Sequence, residues 1–78
     1  MSVTVFVADG CVHCRRLLDD LSRRGVRHVA VNLSREPGRV RELEQLTRER
    51  RVPVVVDHER CSVGFAGGST SLDELGLG

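Results

Sequence analysis

The order in which the hydrophobic period changes between Ser2 and Leu33 constrains this chain more than any other feature. Ser2 to Ala8, SVTVFVA, is a short β-branched apolar run without clean alternation, as in a strand covered on both faces, and it ends at the turn pair Asp9-Gly10. From Val12 to Arg24 the period becomes helical. Cys14, Leu17, Leu18 and Leu21 fall at i, i+3, i+4 and i+7, with Arg15, Arg16, Asp19, Asp20, Arg23 and Arg24 elsewhere around the helix. Gly25 predicts a left-handed cap, and Val26 to Leu33, VRHVAVNL, reads as a second strand. A strand, a helix and a strand in so short a span require parallel pairing through a helical crossover.

The rest of the chain continues the alternation. Ser34 is the expected N-cap of a second helix, with Glu36 and Pro37 in its first turn, a buried stripe of Val40, Leu43 and Leu46 or Thr47, and an end near Glu49. Arg51 to Phe65 reads as an antiparallel hairpin: a strand opened by Pro53, a polar turn at Asp57 to Arg60, and a strand from Cys61 to Phe65. The closing AGGSTSLDELGLG predicts a glycine turn, a Ser/Thr cap and a short helix carrying Leu72 and Leu75. No repeat, linker or low-complexity tract interrupts this β-α-β-α-β-β-α order.

At 78 residues the chain is one small domain, residues 1–78, in which a single core only just offsets chain entropy. With two Phe and neither Trp nor Tyr, it lacks the aromatic platforms that stack nucleobases. Twelve basic residues, all arginine, face 11 acidic ones for a net charge of +1, so there is no electrostatic case for nucleic acid or an anionic membrane. The N-terminus MSVTVFVADG has no basic n-region and no long apolar segment, so the expectation is a cytoplasmic monomer.

In reducing cytosol an odd number of cysteines, three here, argues against a structural disulfide framework and makes the close pair Cys11 and Cys14 catalytic or metal-binding. At a helix mouth, unpaired N–H groups and the positive end of the helix dipole favour a thiolate at Cys11, the attacking species. Cys14, one helical step further on, is placed to resolve the mixed disulfide that Cys11 forms. His13 adds a cationic or hydrogen-bonding imidazole that favours the thiolate and makes the couple more oxidising. The rival from another class is structural zinc on Cys11, Cys14, His58 and Cys61, an interaction module rather than an enzyme. Against it, a strand of about five residues separates the two halves by roughly 15 Å.

Three motifs in order resemble the glutaredoxin family and together cover nearly the whole chain: CVHC followed by Arg15, similar to the family's CPYC-basic site; Val52-Pro53, similar to its TVP; and FAGGST, Phe65 to Thr70, similar to its F-x-G-G signature. The resemblance implies a minimal thioredoxin fold, an α/β domain with a four-stranded mixed sheet in the order 2-1-3-4 and three helices. It also implies a thiol-disulfide oxidoreductase acting on protein or low-molecular-weight mixed disulfides, with no bound cofactor or metal. Pro53 in cis would leave the Val52 main chain open beside Cys11 to pair with a peptide-like substrate. Gly67 and Gly68 would allow close backbone approach, and Ser69 and Thr70 would hold a carboxylate. Val12 and Arg15 border the same site.

The sequence departs from the family pattern in three places. Ala8 stands where a carboxylate-binding Lys is common, Arg51 replaces the Thr of TVP, and His13 replaces the active-site Tyr; Arg15 or Arg51 is the expected substitute for the missing charge. Val12 and Gly64-Phe65 also resemble glutaredoxin-like proteins that take electrons from thioredoxin reductase and reduce ribonucleotide reductase. The absence of lysine fits a GC-rich gene, and in an actinobacterium the low-molecular-weight thiol would be mycothiol. The expected reductants are therefore glutathione, mycothiol or thioredoxin reductase, and the expected partner a disulfide-containing protein.

Overall fold

The computed structural model describes residues 2–77. In chain order its elements are β1 (Val3–Val7), α1 (Val12–Arg23), β2 (His28–Asn32), α2 (Val40–Leu46), β3 (Arg51–Val52), β4 (Val54–Val56), β5 (Cys61–Val63) and β6 (Thr70–Ser71), with a 3₁₀ turn at Pro37–Arg39 leading into α2. β1 is the central strand. It pairs in parallel with β2 and antiparallel with β4, which in turn carries β5 on the edge. Val5, Phe6 and Val7 are buried, which explains why this strand lacks polar alternation.

Helix α1 buries the stripe that its spacing predicts: Cys14, Leu17 and Leu21 join Val5, Val7, Val31 and Leu33 in one core. Burying each large aliphatic side chain in that core contributes about 1.5–3 kcal/mol. The helix ends as expected, with the Gly25 N–H on the Ser22 carbonyl at 3.2 Å and the Val26 N–H on the Leu21 carbonyl at 2.9 Å, the paired bonds of a Schellman cap. These bonds draw Val26 into the cap, so β2 starts at His28.

The second half departs from expectation in three ways. Two α-helices form rather than three, because the final segment has its start and stop signals too close together. The Ser71 hydroxyl accepts from the Glu74 N–H at 3.2 Å, while Gly76 and Leu77 already make the closing bonds to Asp73 and Leu72, leaving room for a single turn. The strand expected to open at Pro53 forms as β4, but Arg51–Val52 ahead of it make a further strand, β3, separated from β4 by Pro53, which has no N–H to continue a ladder. The main sheet therefore runs β2-β1-β4-β5 instead of the expected 2-1-3-4, and β3 leaves it to pair with β6 in a separate two-stranded sheet. Finally, Ser34 does not cap α2. That helix begins after the 3₁₀ turn, buries only Leu43 and leaves Leu46 44% exposed.

The hairpin turn at Asp57 to Arg60 forms as the sequence predicts. One Asp57 carboxylate oxygen accepts from the N–H groups of Glu59 and Arg60, at 2.8 and 2.6 Å. No helix among the described residues is long and apolar enough to cross a membrane.

These two N–H donors hold the Asp57 carboxyl below its usual range. A carboxyl whose folded pKa is depressed stabilises the fold above its unfolded value, near about 3.9, and loses that contribution as pH falls through the folded value. Asp57→Ala is therefore expected to melt at a lower temperature than wild type at pH 7, with the gap closing as the pH is lowered towards 2. Melting curves across that range check it; a gap independent of pH would contradict the assignment.

Candidate functional site

The two close cysteines lie where the carboxyl end of β1 turns into α1. Cys11 is the N-cap residue of α1, in extended backbone, and its sulfur accepts from the Cys14 N–H at 3.1 Å. Cys11 and Cys14 are paired as a disulfide with their Cα atoms 5.3 Å apart, and both are buried, 5% and 2% exposed. The sulfur of Cys11 thus occupies the place an Asp or Ser oxygen takes in an ordinary N-cap, where an orphan N–H and the helix dipole favour negative charge.

The loop before Cys11 is tied down by Asn32, which the sequence reading overlooked, and by Ser34, which it assigned to a helix cap. Asn32, the last residue of β2, donates to the Asp9 carboxylate at 3.0 Å and accepts from the Ser34 N–H at 2.9 Å, while the Ser34 hydroxyl accepts from the Asp9 N–H at 3.0 Å. A legible signal existed: an Asn at the end of a strand is an Asx-turn former. Its partner across the sheet was not legible, because Asp9 is 23 residues away in sequence. Beside the disulfide this loop forms one wall of a cleft of about 590 Å³, lined also by Val12, Arg15, Leu18 and Asp19.

On the other side of Cys11 lies β3. The Val52–Pro53 peptide is cis, and the Val52 carbonyl oxygen is 3.8 Å from Cys11 Sγ. The Val52 main chain is not open, however. Val52 stands opposite Thr70 and Arg51 opposite Ser71, and the Leu72 N–H donates to the Arg50 carbonyl at 2.9 Å. Residues two apart in an antiparallel ladder share the same pairing type, so Val52 and Thr70 are a hydrogen-bonded pair, as Arg50 and Leu72 are. The expected docking groups of Val52 are thus turned to the chain's own β6.

Arg51 is likewise engaged. Its Nε donates to the Ser69 hydroxyl at 2.6 Å and its Nη2 to the Ser69 carbonyl at 3.2 Å, so it braces the glycine loop from below. The half-buried His13 ring lies against Gly68 on that loop and makes no hydrogen bond to Cys11 in this disulfide form. Of the residues singled out from sequence, Cys11 thus faces Val52 and His13 faces Gly68, while Val12 and Arg15 line the cleft on the other side of Cys11, with Asp9 and Asn32.

The zinc set is not brought together. Cys11 and Cys14 are oxidised to each other, whereas His58 and Cys61 sit exposed at the far end of β4, and no cluster of three metal-ligating side chains occurs among the described residues. Cys61 stands alone at the start of edge strand β5, where partial burial pushes its thiol pKa up.

A dithiol pair capping the helix that follows the central strand of this sheet defines a thioredoxin-like redox domain. The glutaredoxin family model matches residues 3–60, well over half of the chain, and the chain belongs to that family. Among solved structures it is similar to a glutaredoxin from Archaeoglobus fulgidus, with a TM-score of 0.75 and 24% identity over 81% of this chain and 74% of that one. It is also similar to the NrdH-redoxin of Escherichia coli, described as a glutaredoxin-like protein with a thioredoxin-like activity profile, with a TM-score of 0.72 and 27% identity over 83% of this chain and 84% of that one. No curated protein matches the chain significantly.

The contrast between Cys11 and Cys61 is measurable. In the reduced protein at pH 6, iodoacetamide is expected to modify Cys11 well before Cys61, although Cys61 is the more exposed, because helix-end N–H groups favour the Cys11 thiolate while burial disfavours that of Cys61. Peptide mass spectrometry of a time course reads the order; faster labelling of Cys61 would refute it.

Proposed function

We propose that this protein reduces protein disulfides through the Cys11–Cys14 couple and is itself recharged by a flavoprotein dithiol reductase of the thioredoxin reductase kind, in a reducing compartment. The Cys11 thiolate attacks one sulfur of a substrate disulfide. That S–S bond breaks, its second sulfur leaves as a thiolate and takes up a proton, and a mixed disulfide joins Cys11 to the substrate. Cys14 then gives up its proton and attacks Cys11 Sγ, which expels the remaining substrate sulfur to be protonated and closes the Cys11–Cys14 disulfide. The substrate has gained two electrons and two protons; NADPH resupplies the two electrons and one proton as hydride through the reductase, and solvent supplies the second proton.

The single observation that carries the dithiol part is Cys11 Sγ at the N-cap, accepting from the Cys14 N–H at 3.1 Å. That bond stabilises the thiolate before attack and places the resolving residue within one helical turn. The choice of reductant rests on the opposite wall of the site. Val52 pairs with Thr70, Arg51 holds Ser69, and Ala8 offers no cation, so on this wall the groups that would hold a peptidic thiol such as glutathione are engaged or missing, and Arg15 lies in the cleft on the other side of Cys11. A tripeptide makes too few contacts to offset separating β6 from β3; a protein surface makes many. The likeness to a redoxin with a thioredoxin-like activity profile supports the same choice.

In an NADPH-coupled assay on a protein disulfide, turnover is expected with thioredoxin reductase and only at background with glutathione or mycothiol and their reductases. Cys11→Ser is expected to lose turnover completely, and Cys14→Ser to accumulate a mixed disulfide visible by mass spectrometry. Full turnover with glutathione would overturn the choice of reductant, and an active Cys11→Ser would overturn the mechanism.

A further inference from the structure

The two glycines of the loop facing the disulfide are glycine for different reasons. Phe65 and Gly68 exchange main-chain hydrogen bonds of 2.8 and 2.9 Å around Ala66 and Gly67, whose φ angles of 52° and 79° make a tight turn with positive φ at both central residues. Gly67 supplies that backbone conformation, and a Cβ there would meet nothing within 4 Å. Gly68 needs no special φ. It is hemmed in by space: a Cβ built on it would fall within the His13 ring, with three ring atoms crowding the same point. His13 therefore fits into the notch left by the missing Gly68 side chain, and Gly68 is rigidly joined through Ser69 to Thr70, the residue that occupies the main chain of Val52.

We propose that His13 is a positioning residue that latches this loop: its ring, seated on Gly68, holds β6 against β3 and so sets how readily the edge beside Cys11 opens to an incoming backbone. The role belongs to the ring's shape. His13 makes no hydrogen bond or ion pair among the described residues, so packing is what it contributes. The functional consequence rests on the reading that substrates displace β6. Loosening the latch raises the open fraction, lowers the KM for a protein disulfide, and admits glutathione as a reductant.

The test separates the latch from that reading. Amide hydrogen exchange at Gly68, Thr70 and Leu72 is followed in the oxidised protein for His13→Ala, Gly68→Ala, the double variant and His13→Phe. Each single alanine substitution is expected to speed exchange about tenfold, since a Cβ at Gly68 evicts the movable ring and so mimics its loss. The double variant is expected to be no faster than either single one, and His13→Phe, which keeps a ring of similar shape without titratable nitrogens, to stay near wild type. Additive effects, or His13→Phe behaving as His13→Ala does, would overturn the latch. If Gly68→Ala fails to fold, His13→Ala against His13→Phe decides the matter alone. In the coupled assay, KM for the protein disulfide is expected to fall by up to about tenfold in His13→Ala with kcat changing less, and glutathione-supported turnover to rise. Faster exchange with unchanged KM and no gain with glutathione would leave the latch standing and overturn the displacement of β6.

Discussion

The structure depends on β1 being paired on both sides. β1 pairs along its whole length with its parallel neighbour β2 and over Thr4–Phe6 with its antiparallel neighbour β4, and Val5, Phe6 and Val7 are buried. Because that strand cannot shift, the point where the chain leaves it is fixed too. The Leu33 N–H adds one more bond to the Val7 carbonyl at 2.8 Å, and Asn32 and Ser34 then hold Asp9. Cys11 is thereby delivered to the helix N-terminus from a strand fixed by main-chain bonds, with its sulfur held against the Cys14 N–H.

The opposite wall of the site is built on weaker terms. β3 and β6 are two residues each and form their own sheet, detached from the main one by the split at Pro53. A two-stranded ribbon of this size has little stability of its own and relies on the contacts around it: Arg51 on Ser69, the tight turn at Phe65–Gly68, and His13 on Gly68. One wall is thus fixed by the core and the other is held by side chains.

Much of this was legible from local signals. The period change from strand to helix to strand, the Gly25 cap, the Asp57 turn and the CxxC at the helix mouth each depend on residues within a few positions of one another, and each appears where its chemistry predicts. The failures have a common cause. Ser71 and Gly76 are correct helix signals that lie one turn apart, so they cancel. Ser34 is a correct cap signal that spends its hydroxyl on Asp9, a partner that only the parallel pairing of β1 and β2 brings near. Leu46 fits the helical stripe, yet the chain turns away before any surface covers it.

The sequence by itself determined the β-α-β nucleus, the family, and the identity of the redox pair, because hydrophobic period and cysteine spacing act through the local backbone. What only the tertiary structure decided is which groups at the site are free. Val52, Arg51 and His13 read as substrate-binding or redox-tuning residues one at a time, but in the fold each faces a residue of the 67–71 segment: Thr70, Ser69 and Gly68. No local rule contains that outcome, since hydrogen bonds and steric exclusion between segments separated by 18 residues or more follow from where the sheet sends the chain.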